Sequence, residues 1–237
     1  MVAVDSLVAG YGARQILHDV NLRGGAGQSL CLIGPNGAGK STVLHAMFRF
    51  ARILSGSVPV GGRDVTRLAM SEKLRSAGIA YALQENSVFA DMTVEENLWM
   101  GGFLVPGPGQ AREVAERMLA RYSRLAIRRS ERASPLSDGE RRLLEIARAL
   151  IMDPAVLLVD EPSIGLELCY IGMVFDMLTQ LQHGEGKTIV LVEQNARKGL
   201  EFADIGYVLV SGRVEMAGTG AQLAQDPEVG RLFLGGP

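Results

Sequence analysis

An α/β fold with a mainly parallel sheet is predicted for this chain of 237 residues. Flanking helices, antiparallel N-terminal strands and an inserted helical subdomain complete it. Three observations predict it. Short apolar runs alternate with helical patterns along most of the sequence, and that alternation builds parallel sheets. The run Gly34-Pro35-Asn36-Gly37-Ala38-Gly39-Lys40-Ser41-Thr42 stands between an apolar strand pattern and an apolar helix pattern. Strand patterns are missing over 85–152, so 1–84 and 153–237 read as one α/β core around a helical insertion.

The elements follow in order. Residues 1–8 alternate apolar and polar side chains as a strand does. Ala9-Gly10-Tyr11-Gly12 reads as a turn carrying one exposed aromatic, and 16–22 resume the strand. The glycines of 24–27 turn the chain into a buried strand at 28–33, and 40–50 form a buried helix. A short strand at 55–62 precedes a helix at 71–77, which Gly78 ends. Residues 79–83 form an apolar strand with Gln84 directly after it.

In the insertion, Thr93-Val94-Glu95-Glu96 has the pattern of a capping box. Residues 103–109 break the chain, and 111–126 read as one long helix. Pro135-Leu136-Ser137-Asp138-Gly139-Glu140 opens an amphipathic helix with Leu143, Leu144, Ala147, Leu150 and Ile151 on one face. The arginines at 121, 124, 128, 129 and 132 read as a solvated face. The core resumes with strands at 155–159 and 188–192, a helix at 168–182 between them, and a hairpin around Ser211-Gly212. Two short helical stretches finish the chain.

Composition narrows the function classes. With 24 Lys+Arg against 26 Asp+Glu, the chain lacks the basic excess of a nucleic-acid binder. Cys31 and Cys169 sit in apolar stretches and read as buried free thiols, as in a reducing cytoplasm. The first residues lack the pattern of a secretory leader. No apolar run is long enough to cross a bilayer. Work at a membrane would require docking on another chain.

The run 34–42 carries the chemistry. It has the form G-x-x-x-x-G-K-[ST], the phosphate-binding P-loop, in its required strand–loop–helix setting. Its glycines let backbone N–H groups approach phosphates, and the following helix start adds free amides. Lys40 can reach the β- and γ-phosphates, and the Ser41 hydroxyl can ligate Mg²⁺. A P-loop needs a second strand ending in a carboxylate. Val156-Leu157-Leu158-Val159-Asp160 supplies it, with Asp160 for the metal. Glu161, next along, can accept a proton from an attacking water.

The order of P-loop, Leu136-Ser137-Asp138-Gly139-Glu140 and Asp160-Glu161 resembles the ATP-binding-cassette (ABC) ATPases over nearly the whole chain. Leu136 to Glu140 is similar to that family's signature, usually LSGGQ or LSGGE. The resemblance implies two cassettes packed head to tail, each ATP lying between the P-loop of one and the signature of the other. It implies that Tyr11 stacks on adenine and that Gln84 touches Mg²⁺ or the lytic water and senses the membrane partner. Ser137 and Gly139 would contact the partner's γ-phosphate, 163–167 would form the dimer seam, and Gln194 falls where most of the family has a switch histidine. Asp138 replaces a signature glycine and is expected to cap its helix. Glu167 replaces an aspartate.

Met92 to Leu98 (MTVEENL), Pro162 to Leu166 (PSIGL) and Leu191 to Ala196 (LVEQNA) look like the ATPases of branched-chain amino-acid importers. That resemblance implies an ATP- and Mg²⁺-using subunit on the cytoplasmic face of the membrane. Its partners would be a second cassette, two transmembrane permeases and, indirectly, an external substrate-binding protein, with no nucleic acid. A related urea or amide importer, an exporter, or a non-transport ABC ATPase on nucleic acid or ribosomes are the other readings.

Overall fold

The structure, a computed structural model, describes residues 1–83, 87–105 and 109–233. Strands β1 (Val2–Tyr11) and β2 (Arg14–Gly24) form a hairpin. Strand β3 (Ser29–Ile33) leads through the glycine loop into α1 (Lys40–Phe48). Strands β4 (Arg52–Ser57) and β5 (Pro59–Val60) return to pair with β1, and β6 (Arg63–Asp64) pairs with β5. Helix α2 (Met70–Arg75) then leads to β7 (Ile79–Ala82).

Only helices follow among the described residues of the middle section: α3 (Val94–Gly101), α4 (Gln110–Arg121), α5 (Ser123–Ile127) and α6 (Asp138–Ala149). The α/β pattern resumes with β8 (Val156–Asp160), α7 (Leu168–Thr179), β9 (Thr188–Val192) and α8 (Ala196–Phe202). A hairpin of β10 (Ile205–Val210) and β11 (Arg213–Thr219) precedes α9 (Gly220–Gln225) and α10 (Pro227–Phe233).

The N-terminal strands make an antiparallel sheet around β1. The second sheet has the order β11-β10-β3-β9-β8-β7, parallel except for the β10–β11 hairpin. Its central strands are buried on both faces, which is why they read as unbroken apolar runs. Their side chains alternate between two cores. Leu30, Leu32, Leu158 and Val190 face α1 and the antiparallel sheet, which enclose Val43, Leu44 and Met47. Cys31, Ile33, Leu157 and Ile189 face the helical side, where Leu144, Ile146 and Leu178 pack. Helix α1 is thus clamped between two sheets, and the loop before it has a rigid base.

Four expectations need correction. Residues 9–12 are not a turn: β1 continues through Tyr11, and the turn is Gly12-Ala13. Gly10 stays in the ladder because it lies so close to β2 that a Cβ there would sit 2.0 Å from the Arg14 carbonyl oxygen. The helix expected over 111–126 is two helices, broken at Tyr122, whose ψ of 83° leaves the helical region. Cys31 is buried, but Cys169 is exposed on the first turn of α7. Asp138 is not the cap of α6. Ser137 is, accepting from the Glu140 amide at 3.2 Å while Glu140 accepts from the Ser137 amide at 3.0 Å. Asp138 begins the helix and pairs with Arg141 at 3.2 Å.

Candidate active site

Strands β3, β8 and β9 run parallel, so the groups after Ile33, Asp160 and Val192 share one sheet edge. The glycine loop leaves from that edge. Gly34 has φ 147°, and a Cβ on it would lie 2.1 Å from the Leu209 carbonyl oxygen of β10. Gly39 has φ 100° and starts α1 with no side-chain cap. The uncapped amides of that first turn form a site for an anion. Asn36, Gly37, Gly39, Lys40, Ser41 and Thr42 open with Glu161 onto one cavity of 290 Å³.

Lys40 is 5 % exposed and donates to the carbonyls of Gly34 (3.0 Å) and Pro35 (3.3 Å), with Glu161 Oε1 at 4.0 Å. Its ammonium therefore lies at the floor of the loop. Glu161 is buried and holds a left-handed backbone, φ 44°, which non-glycine residues adopt at a cost of order 1–3 kcal/mol. Its amide donates to Val192 O at 2.8 Å, fixing the turn against β9.

Ser41 Oγ donates to Asp160 Oδ1 at 2.9 Å, and Tyr81 OH donates to Asp160 Oδ2 at 2.7 Å. Burial and the nearby Asp160 push the Tyr81 phenol well above its ordinary value, so it stays a donor. A hydroxyl and a carboxylate meeting here suit a hard cation, which commonly takes one or two protein oxygens beside phosphates and water. The residues present fit a magnesium ion.

The remaining expected residues lie elsewhere. Pro35 and Ala38 brace the loop through an Ala38 N to Pro35 O bond of 3.1 Å. Tyr11 is 44 % exposed at the end of β1, with its hydroxyl 2.5 Å from His45 Nδ1. Burial pulls the His45 pKa down, against an upward pull from Asp160. Gln194 is exposed in the turn after β9. Ser137 and Gly139 sit at the start of α6 and do not line the loop's cavity. Gly139 is pressed under Tyr170, where a Cβ would come within 2.1 Å of the ring. Gln84 lies outside the described residues.

Three residues escaped the sequence reading. Arg14 lines the loop's cavity from the first position of β2. Tyr81 was hidden as one more member of an apolar strand. Glu193 had no role beyond its place in the run 191–196, yet it is 1 % exposed. Arg14 alone had a local signal, as a cation just beyond Tyr11 in the hairpin.

Residues 17–164 match the family model described as ABC transporter. The chain belongs to the ABC transporter family. As a member it is an ATP-hydrolysing cassette coupled to transport. This ABC cassette is 41 % identical over 236 residues to the high-affinity branched-chain amino acid transport ATP-binding protein BraG of Pseudomonas aeruginosa, covering 100 % of both chains. It is 37 % identical over 238 residues to the probable branched-chain amino acid transport ATP-binding protein LivF of Archaeoglobus fulgidus, covering 99 % of each. Among solved ABC structures, the ADP conformation of MJ1267 superposes with a TM-score of 0.86 at 27 % identity, covering 99 % of this chain and 98 % of that one. The dimeric post-hydrolysis state of MJ0796, bound to ADP and Pi, gives 0.80 at 25 % identity, covering 92 % and 98 %.

Proposed function

We propose that this ABC cassette energises the import of branched-chain amino acids. The observation that carries the reading is the identity with BraG along both entire chains. The cassette would work at the cytoplasmic face of the membrane, paired with a second cassette, on two permeases fed by an external binding protein. Among the described residues no helix is long and apolar enough to cross a membrane, which suits docking on other chains.

The loop amides of 34–42 and the α1 N-terminus hold the phosphates, and Lys40 swings from its carbonyl partners toward them. Tyr11 stacks on the base. Ser41 and Asp160 would hold Mg²⁺, to which the resemblance adds Gln84, and the ion when bound would neutralise phosphate charge. Glu161 takes the proton of the attacking water. Gln194 donates a hydrogen bond to a phosphate oxygen without adding charge. The α/β core is 1–84 with 153–237, and 85–152 brings the signature residues Ser137 and Gly139 of one cassette to the ATP of the other.

Two measurements test this. Glu161→Gln should reduce steady-state ATP turnover by about a thousandfold or more and leave ATP binding intact. Retained turnover refutes the base. A tagged chain purified from detergent-solubilised membranes should bring two hydrophobic permeases and a second cassette. Recovery of ribosomes or DNA instead overturns the transport role.

A further inference from the structure

Glu193 is a buried carboxylate that this mechanism does not use. Its backbone amide donates to Leu32 O of β3 at 3.2 Å, which anchors it beside the strand that feeds the glycine loop. Its side chain gathers donors from two loops. Ser163 N donates to Oε1 at 3.0 Å, Ser163 Oγ donates to Oε2 at 2.9 Å, and Asn195 N donates to Oε2 at 3.0 Å. Among the described residues no lysine or arginine pairs with it. Helix α8 packs on it so closely that a Cβ on Gly199 would lie 3.0 Å from the Glu193 Cβ.

Burying a carboxylate without a cation is costly, and an apolar side chain of similar size would fill the space more cheaply. Burial pushes its pKa up, the bonds from Ser163 and Asn195 pull it back, and nearby Glu161 pushes it up again. Stability alone does not explain the residue. Its geometry does something an apolar side chain cannot. It ties the segment opening at Ser163 to the turn carrying Gln194, next to Val192, whose carbonyl accepts from the Glu161 amide.

We propose that Glu193 is a positioning residue that fastens the 163–167 segment to the Gln194 turn, so that the two move as one piece at the reacting edge. The inference rests on the reading that 163–167 lie at the cassette seam and that Gln194 faces the γ-phosphate. Glu193 does not line the loop's cavity; it acts through its neighbours.

The test uses the full chain. Residue-resolved amide exchange should find the Ser163 and Asn195 amides opening together in the wild type. Both should exchange about tenfold faster or more in Glu193→Gln. Turnover of that variant should fall about tenfold with KM unchanged, while ATP affinity stays within about twofold. In a Gln194→Ala background the same change should cost less than about twofold, because its route is already cut. Full additivity, or unchanged turnover in folded Glu193→Gln, overturns the proposal. Should Glu193→Gln fail to fold, Ser163→Ala removes one of the bonds and should speed exchange at Asn195; no change there also overturns it. If Gln194→Ala leaves turnover intact, the reading of Gln194 fails instead. Exchange alone then decides, with independent opening of the two amides counting against the tie.

Discussion

Lys73 is the largest fully buried side chain in the structure, and it is charged. Its ammonium donates to Met47 O at 2.6 Å. Burial and then Arg49 press its pKa down to about 8, against a weak upward pull from Asp64. The folded value lies below the unfolded 10.5, so the folded state resists the proton. The cost is fully present below about pH 8 and fades as the pH rises through 10.5. Lys73→Met keeps most of the volume and removes the charge. It should stabilise the chain at pH 7 by on the order of 1–3 kcal/mol, with a smaller gain near pH 10. Thermal melting at both pH values checks this. A gain that grows in alkali would contradict it.

Helix starts give a sharper test of local chemistry. At α6 the cap is Ser137, and Asp138 follows with its side chain largely in water and Arg141 as its partner. Ser137→Ala should therefore cost about 1 kcal/mol in denaturant unfolding. Asp138→Gly should cost about half that, since an exposed ion pair contributes little. Equal losses would mean that the aspartate shares the cap. The box at α3 was legible in the sequence because Thr93 and Glu96 are written within four residues, whereas at α6 the expected cap was Asp138 in place of Ser137. The glycine loop, the Asp160 strand and the β10–β11 hairpin were legible for the same reason. The break at Tyr122, the exposure of Cys169, the burial of Glu193 and the Tyr81 bond to Asp160 were not. Each depends on which distant element packs alongside, and spacing along the chain does not encode that.

At the scale of the whole molecule, the proposed nucleotide site is split between two places on one cassette. The loop's cavity is lined by phosphate-side residues, while Ser137 and Gly139 stand apart on α6. The segment 163–167 leads into α7 with Leu168 at 87 % exposure and Cys169 exposed beside it. A large apolar side chain so exposed next to the expected seam is explained if a second cassette covers it. Cys169 then becomes a reporter of pairing, with Cys31 as the internal control because burial shields its thiol and pushes its pKa up. In the Glu161→Gln chain, Mg²⁺ and ATP should drive pairing and slow alkylation of Cys169 by a polar maleimide about tenfold or more, while Cys31 stays unreacted throughout. Mass spectrometry of the alkylated peptide reads the rate, and sedimentation reads the pairing. If the chain pairs and Cys169 reacts at its monomer rate, the start of α7 lies outside the seam and the head-to-tail arrangement is wrong for this protein.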